Sequence, residues 1–112
     1  MMNAGEWKSR IFELVKDISD ADYQRRSWFG IGPEVDSPDE MFCALFDDLM
    51  FDEFLERHAS TLSEAQLRAA RRLQREMDEF AASTPGHLEA KAVIDDPRWG
   101  KIRDAAKSLL EA

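Results

Sequence analysis

The chain has 112 residues, a formal net charge of −8 and 44% hydrophobic residues. This length predicts one domain over residues 1–112, and the apolar content excludes a disordered tail. The acidic excess argues against nucleic acid or an anionic membrane as a partner, and it suits binding to a basic protein.

The first predicted helix covers residues 4–19. Asn3 and Glu6 have the spacing of a capping box. Apolar residues follow at helical spacing: Trp7, Ile11, Leu14, Val15 and Ile18. A short turn through residues 23–29, capped by Asp20 or Asp22, is expected next. The glycines and the proline of residues 30–33 then predict a loop.

Residues 37–58 contain the clearest helix start in the chain. Ser37 is placed as an N-cap, Pro38 at the first helical position and Glu40 at the third. Continuing this helix past residue 50 would turn Glu53 into its apolar face, so we expect a break near residues 50–52. In this interpretation Asp52 caps a short third helix. The break lets four apolar side chains reach the core: Leu49, Met50, Phe51 and Phe54.

The second half of the chain predicts three further helices. Ser63 and Gln66 form another capping box, and the helix they begin ends before Pro85. A short helix is expected to start at Thr84 and Pro85 and to run through residue 94. Asp96 and Pro97 then start the last helix. Because no alternating strand or fixed repeat is present, the predicted fold is all-α, a compact irregular bundle of about five or six helices.

Acidic residues dominate the stretch from residue 34 to residue 56, which has nine carboxylates and no Lys or Arg. Three of them are assigned to helix starts, namely Asp39, Glu40 and Asp52. The others have no nearby basic partner and form the predicted partner-binding surface: Glu34, Asp36, Asp47, Asp48, Glu53 and Glu56. The aromatic residues Tyr23, Trp28 and Phe29 are a second binding candidate. Packing of these aromatics in the core is the alternative.

The sequence predicts no catalytic residues, no cofactor and no metal site. His58 and His87 lie 29 positions apart without a Cys pair, whereas zinc needs three or four ligands. The acidic run around Asp47 and Asp48 has neither the spacing of a diphosphate–magnesium motif nor that of an EF-hand. Cys43 lies in an apolar run, which favours a buried and inert thiol. We therefore expect a protein that is not an enzyme.

The helix that follows Ser63 has four arginines on one face: Arg68, Arg71, Arg72 and Arg75. Such a stripe is suited to binding phosphate groups or RNA. Pairs at i,i+4 spacing, however, predict that acidic residues neutralise it: Glu64–Arg68, Arg72–Glu76 and Arg75–Glu79. A solvated helix face is the favoured interpretation.

The expected location is the cytoplasm. No run reaches the roughly 18 apolar residues of a membrane span, and residues 1–6 lack the basic start of a signal peptide. A single Cys excludes an internal disulfide.

Several segments together resemble small acidic helical immunity proteins of bacterial contact-dependent growth inhibition and related polymorphic toxin systems. They are Trp28–Phe29, Val35–Glu40, Leu45–Asp48, Phe51–Phe54 and Pro97–Trp99. The resemblance covers the general layout of most of the chain. It implies a protein that binds and blocks a toxin domain, commonly a nuclease, and performs no chemistry. It assigns no individual binding residue.

The function expected from the sequence is therefore that of a protein-binding module. The specific form is an immunity protein that neutralises a basic toxin through its acidic surface. A nuclease is the expected class of toxin. The alternative is a small helical adaptor or regulatory subunit with an apolar peptide-binding groove. The oligomeric state stays open.

Overall fold

Helices make up most of the backbone in the computed structural model, which describes residues 2–112. Within that range there are seven α-helices and no β-strand: α1 (Ala4–Ser19), α2 (Ala21–Trp28), α3 (Pro38–Phe42), α4 (Phe51–His58), α5 (Glu64–Ser83), α6 (Ala90–Ile94) and α7 (Pro97–Glu111). A π-helical segment, Cys43–Asp48, continues α3, and a 3-10 segment, Ala59–Thr61, follows α4. The all-α prediction is confirmed. None of the described helices is both long enough and apolar enough to cross a bilayer.

Four of the predicted helix starts are confirmed at the level of single hydrogen bonds. The side chain of Asn3 accepts from the backbone N–H of Glu6 at 2.8 Å. That of Ser37 accepts from Glu40 at 3.0 Å. Ser63 forms the full capping box that opens α5, and Asp96 caps α7. Each cap satisfies an N–H group that has no partner inside its helix.

Two predicted segments differ from the structure. The expected turn after α1 is an eight-residue helix, α2, which Asp20 caps by accepting from the N–H of Tyr23 at 3.0 Å. Thr84 ends α5, and the following helix begins only at Ala90. Pro85 and Gly86 separate these helices, because Gly86 takes a φ of +89° that ends helical geometry.

The break after α3 lies where the sequence predicted it, but its construction is different. The π-helical segment shifts the helix phase, and Met50 then adopts a left-handed conformation with a φ of +50°. Met50, not Asp52, is the N-cap of α4, and it is 46% exposed. The Asp52 cap and the burial of Met50 were therefore wrong predictions. The carboxylate of Asp52 accepts instead from Gln74 of α5 at 2.7 Å.

The hydrophobic core surrounds α7, which packs most extensively against α5 and α1. Its first turn holds Trp99, which is fully buried. The Trp99 ring packs at centroid distances of 5.6 Å from Trp28, 6.1 Å from Phe42 and 5.9 Å from Phe80. Helices from both halves of the chain thus meet on one indole, and aromatic pairs at these distances contribute beyond their buried area.

A buried glutamine satisfies the polar atom of this indole. Trp99 Nε1 donates to Gln24 Oε1 at 3.0 Å. The Gln24 amide nitrogen donates to the backbone oxygens of Asp17 and Ile18 at 3.0 and 2.7 Å. Gln24 is fully buried, so these bonds offset the cost of removing its amide from water. They connect α2 to both α1 and α7.

Replacing Gln24 with leucine leaves the Trp99 N–H without this acceptor in the interior. We expect Gln24→Leu to lower the free energy of unfolding by about 1–3 kcal/mol. The matched control is Gln74→Leu, which removes an exposed hydrogen bond and should cost about 0.5 kcal/mol or less. Urea denaturation of the three proteins measures the difference. Equal midpoints for the two variants would show that Gln24 contributes no more than a surface glutamine.

Replacing Ser37 with alanine removes the cap that starts α3. We expect Ser37→Ala to lower the free energy of unfolding by about 1 kcal/mol. Ser9→Ala is the control, because Ser9 is exposed in the interior of α1, where alanine has the higher helix propensity. Thermal denaturation in which Ser37→Ala is as stable as wild type would contradict the capping role.

Candidate protein-binding surface

Several carboxylates from the acidic stretch meet around a shallow cleft of about 380 Å³. The cleft lies where the end of the α2–α3 loop approaches α1 and the π-helical segment. Its wall contains three carboxylates, Asp36, Glu40 and Asp48, together with the exposed side chain of Val35. A surface with both charged and apolar side chains is therefore present on this side of the bundle.

Asp36 is held in place by hydrogen bonds to two elements. One carboxylate oxygen accepts from the hydroxyl of Tyr23 at 2.9 Å, and the other accepts from the N–H of Ser37 at 2.8 Å. The Asp36 N–H donates to the backbone oxygen of Ser27 at 3.0 Å. The loop before α3 is thus fixed to α2 at its end, and the Asp36 carboxylate has a defined position.

Two pKa values show how closely the negative charges lie. Burial, and then the charges of Asp36 and Asp20, raise the pKa of Asp17. Burial, and then the hydrogen bond to Asp36, raise the pKa of Tyr23 to about 12. In both cases a neighbouring carboxylate makes a further negative charge less favourable. Asp17 of α1 therefore extends the cluster that Asp36 begins.

A second cleft, of about 470 Å³, adjoins the first because Asp48 lines both. Glu53 is on its rim and pairs with Arg57 at 3.2 Å. We call the surface formed by Asp17, Asp36, Glu40, Asp48 and Glu53 the acidic face. It draws on α1, the α2–α3 loop, α3, the π-helical segment and α4.

The remaining predicted carboxylates lie outside these clefts. Glu34 and Asp47 are exposed, and the charge of Asp47 acts on the thiol of Cys43. Glu56 is exposed one helical turn after Asp52, which faces α5 through its bond to Gln74. The structure thus brings Asp36, Asp48 and Glu53 to adjoining clefts and places Glu56 toward another side.

The loop between α2 and α3 presents three large apolar side chains to solvent. Phe29 is 44% exposed, Ile31 76% and Val35 82%. We call these three residues the apolar loop. The sequence pattern predicted Phe29 as a binding residue, but not Ile31 or Val35. Their exposure could have been predicted from the sequence, because both lie in a Gly- and Pro-containing segment. Such a segment has no helical period that would place apolar side chains on the core side.

The other two aromatic candidates are partly buried. Tyr23 and Trp28 pack against the core, and Trp28 lies against Trp99. The Trp28 indole N–H has no hydrogen-bond partner among residues 2–112. These positions agree with the core-packing alternative for Tyr23 and Trp28, whereas Phe29 is free to contact a partner.

The structure differs from the sequence predictions at Cys43 and along the arginine stripe of α5. Cys43 is exposed, so the prediction of burial was wrong. Desolvation, followed by the charge of Asp47, raises the pKa of its thiol, which disfavours the reactive thiolate. Of the three predicted ion pairs along the arginine stripe, only Arg72–Glu76 forms, at 3.4 Å.

The two histidines lie in different surroundings. His87 Nδ1 is 2.5 Å from the carboxylate of Asp39. His58 packs edge-on to Trp7, with ring centroids 5.4 Å apart. The described residues contain no group of three or more side chains able to hold a metal ion.

Comparison with known proteins gave no match: no protein-family model, curated protein or solved structure is significantly similar to the chain.

The bond between Tyr23 and Asp36 predicts a pH dependence of stability. The pKa of Tyr23 is about 12 in the folded protein and about 10 in an unfolded chain. Its contribution is therefore fully present below pH ~10 and is lost as the pH rises toward ~12. Tyr23 is the sole tyrosine, so the phenolate absorbance reports it directly.

We expect Asp36→Asn to lower the pKa of Tyr23 below the wild-type value. The value should stay above the ordinary one, because burial is the largest cause of the shift. Tyr23→Phe should lose less stability than wild type between pH ~10 and pH ~12. Ultraviolet titration and denaturation at several pH values measure both effects. A pKa of Tyr23 that Asp36→Asn leaves unchanged would contradict the coupling.

Proposed function

We propose that this protein is a non-enzymatic binding module that holds a basic protein partner against its acidic face. One observation supports this most strongly. In the cleft beside Asp36, Glu40 and Asp48, the apolar side chain of Val35 is 82% exposed. An apolar contact surrounded by like charges suits a protein partner of the opposite charge.

Two energetic features support binding over plain solubility. Burial raises the pKa of Asp17, and repulsion from the charges of Asp36 and Asp20 raises it further. Ile31 and Val35 leave apolar area in water that burial would stabilise by about 25 cal/mol per Å². A basic partner with an apolar centre relieves both costs, since it neutralises the face and covers the apolar loop.

The specific form of this proposal is an immunity protein that neutralises a cognate toxin in the bacterial cytoplasm. A nuclease is the favoured toxin class, because a cleft that holds phosphates is positively charged. The acidic face would occupy such a cleft and exclude the nucleic acid. The resemblance in sequence layout supports this form, and the mechanism needs no catalytic residue on the inhibitor.

A second candidate is an adaptor that holds a peptide in an apolar groove. A shallow depression of about 580 Å³ lies beside α1 and the end of α7, with Phe12 and Leu110 in its wall. Leu110 is 37% exposed. Lys8 and Lys16 also line this depression, so its partner would be an apolar peptide with acidic residues.

The two candidates predict different effects of charge on binding. After the partner is isolated from the native organism, association rates are measured at two salt concentrations. We expect Asp47→Asn with Asp48→Asn to slow association several-fold at about 0.1 M salt. The effect should nearly vanish at about 1 M, where the Debye length falls from about 10 Å to about 3 Å.

The matched control removes the same charge elsewhere. Asp104→Asn with Glu111→Gln changes two exposed carboxylates of α7, which line neither acidic cleft. This control should associate at nearly the wild-type rate. If the Asp47/Asp48 variant binds as fast as wild type while Leu110→Lys abolishes binding, the adaptor function replaces the proposed one.

A further inference from the structure

The 470 Å³ cleft at the end of the acidic face has the construction of a side-chain pocket. Trp7, Leu49, Met50 and His58 supply apolar and aromatic surface, Asp48 and Glu53 supply carboxylates, and Arg57 supplies a guanidinium. Small binding sites in proteins combine these features, with a mostly apolar lining and a few polar groups that fix orientation. The chemistry of these seven residues indicates which ligand the cleft takes.

The aromatic wall is fixed in position. Trp7 Nε1 donates to the backbone oxygen of Leu49 at 2.5 Å. The Trp7 ring also packs edge-on against Phe54, at a centroid distance of 5.3 Å, and against His58, at 5.4 Å. These contacts tie α1 to the residue that ends the π-helical segment and to α4 itself, so the aromatic wall is already in place before a ligand binds.

Met50 holds an unfavourable backbone conformation to present its side chain at this cleft. Its φ of +50° is in the left-handed region, which costs a non-glycine residue free energy that glycine avoids. Met50 is nevertheless 46% exposed instead of packing in the core. A flexible and polarisable side chain at such a place can mould itself against an aliphatic ligand.

The cleft has two carboxylates and one guanidinium, so it favours a further cation. Asp48 has no Lys, Arg or His nitrogen within 4 Å in the described part of the chain. Glu53 already pairs with Arg57 at 3.2 Å, and Arg57 also lines the cleft. An incoming cation would therefore meet one free carboxylate and one that is shared.

We propose that this cleft binds a single arginine side chain supplied by the basic partner. The aliphatic stem would lie against Met50 and Leu49, and the guanidinium would reach the Asp48 carboxylate. Arginine suits the site better than lysine, because its planar group packs on aromatic rings and pairs with carboxylates in a fork. The arginine site rests on the proposed function in one respect only, namely that the basic partner supplies the arginine.

The test uses a model compound, so that it does not depend on finding the partner. N-acetyl-arginine methylamide is titrated into the full chain, and the neutral isostere N-acetyl-citrulline methylamide serves as its control. The methionine methyl and indole N–H resonances are followed by NMR. We expect saturable shifts at Met50 and Trp7, and roughly tenfold weaker binding of the citrulline compound.

Matched variants locate the site. Asp48→Asn should weaken the arginine compound roughly fivefold or more, whereas Asp47→Asn, which changes a neighbouring carboxylate outside the cleft, should have little effect. Arg57→Gln should strengthen binding, because it frees Glu53. Met50→Gly should weaken binding without lowering the melting temperature, since glycine accepts the left-handed conformation.

Three results would overturn the proposal. The first is equal binding of the arginine and citrulline compounds, and the second is the absence of saturable shifts at Met50 and Trp7. The third is equal loss of affinity in Asp47→Asn and Asp48→Asn. Each of these results leaves the proposed function standing if the partner still associates through the acidic face. Conversely, a partner insensitive to Asp47→Asn with Asp48→Asn removes the proposed function but not the arginine site.

Discussion

The side chain of Gln24 joins three helices in the interior of the bundle, and the positions of the functional surfaces depend on it. Its oxygen accepts from the Trp99 indole of α7, and its nitrogen donates to two carbonyls near the end of α1. A buried amide is stable only when such bonds satisfy it. The network therefore allows one placement of α2 against the core, and that placement sets the course of the loop beyond it.

The acidic face follows from this placement. Tyr23 lies one residue before Gln24 and bonds to Asp36, so the anchor in the core and the anchor of the loop belong to the same helix. Between these anchors, the chain has to cross the surface, and Phe29, Ile31 and Val35 are left exposed. The charged cleft and the apolar loop are thus neighbours because both depend on α2.

The two proposed contacts make different contributions to recognition. In the proposed complex, the acidic face would act over a distance and affect association rates, since its field extends about a Debye length from the surface. The cleft at Met50 would act at contact, through apolar area and a single carboxylate, and would affect the lifetime of the complex. A basic surface with one protruding arginine satisfies both. The left-handed conformation of Met50 lowers the stability of the free protein at one of these contacts.

Sequence alone determined the features that depend on near neighbours. The caps at Ser37 and Asp96 were predictable because they join residues two or three positions apart, and the helical period identified most of the core. The carboxylate excess of residues 34–56 was equally visible, because charge needs no structure to be counted.

Only the tertiary structure decided where those side chains act. Asp52 accepts a hydrogen bond from Gln74 of another helix instead of capping α4. Gln24 accepts a hydrogen bond from the indole of Trp99, which lies 75 residues further along the chain. Cys43 and Met50 are exposed, although the apolar run around Cys43 and the helix break near Met50 predicted that both would be buried. Asp36, Asp48 and Glu53 come to adjoining clefts while Glu56 does not. These outcomes depend on contacts between residues far apart in sequence, and local propensity carries no information about such contacts.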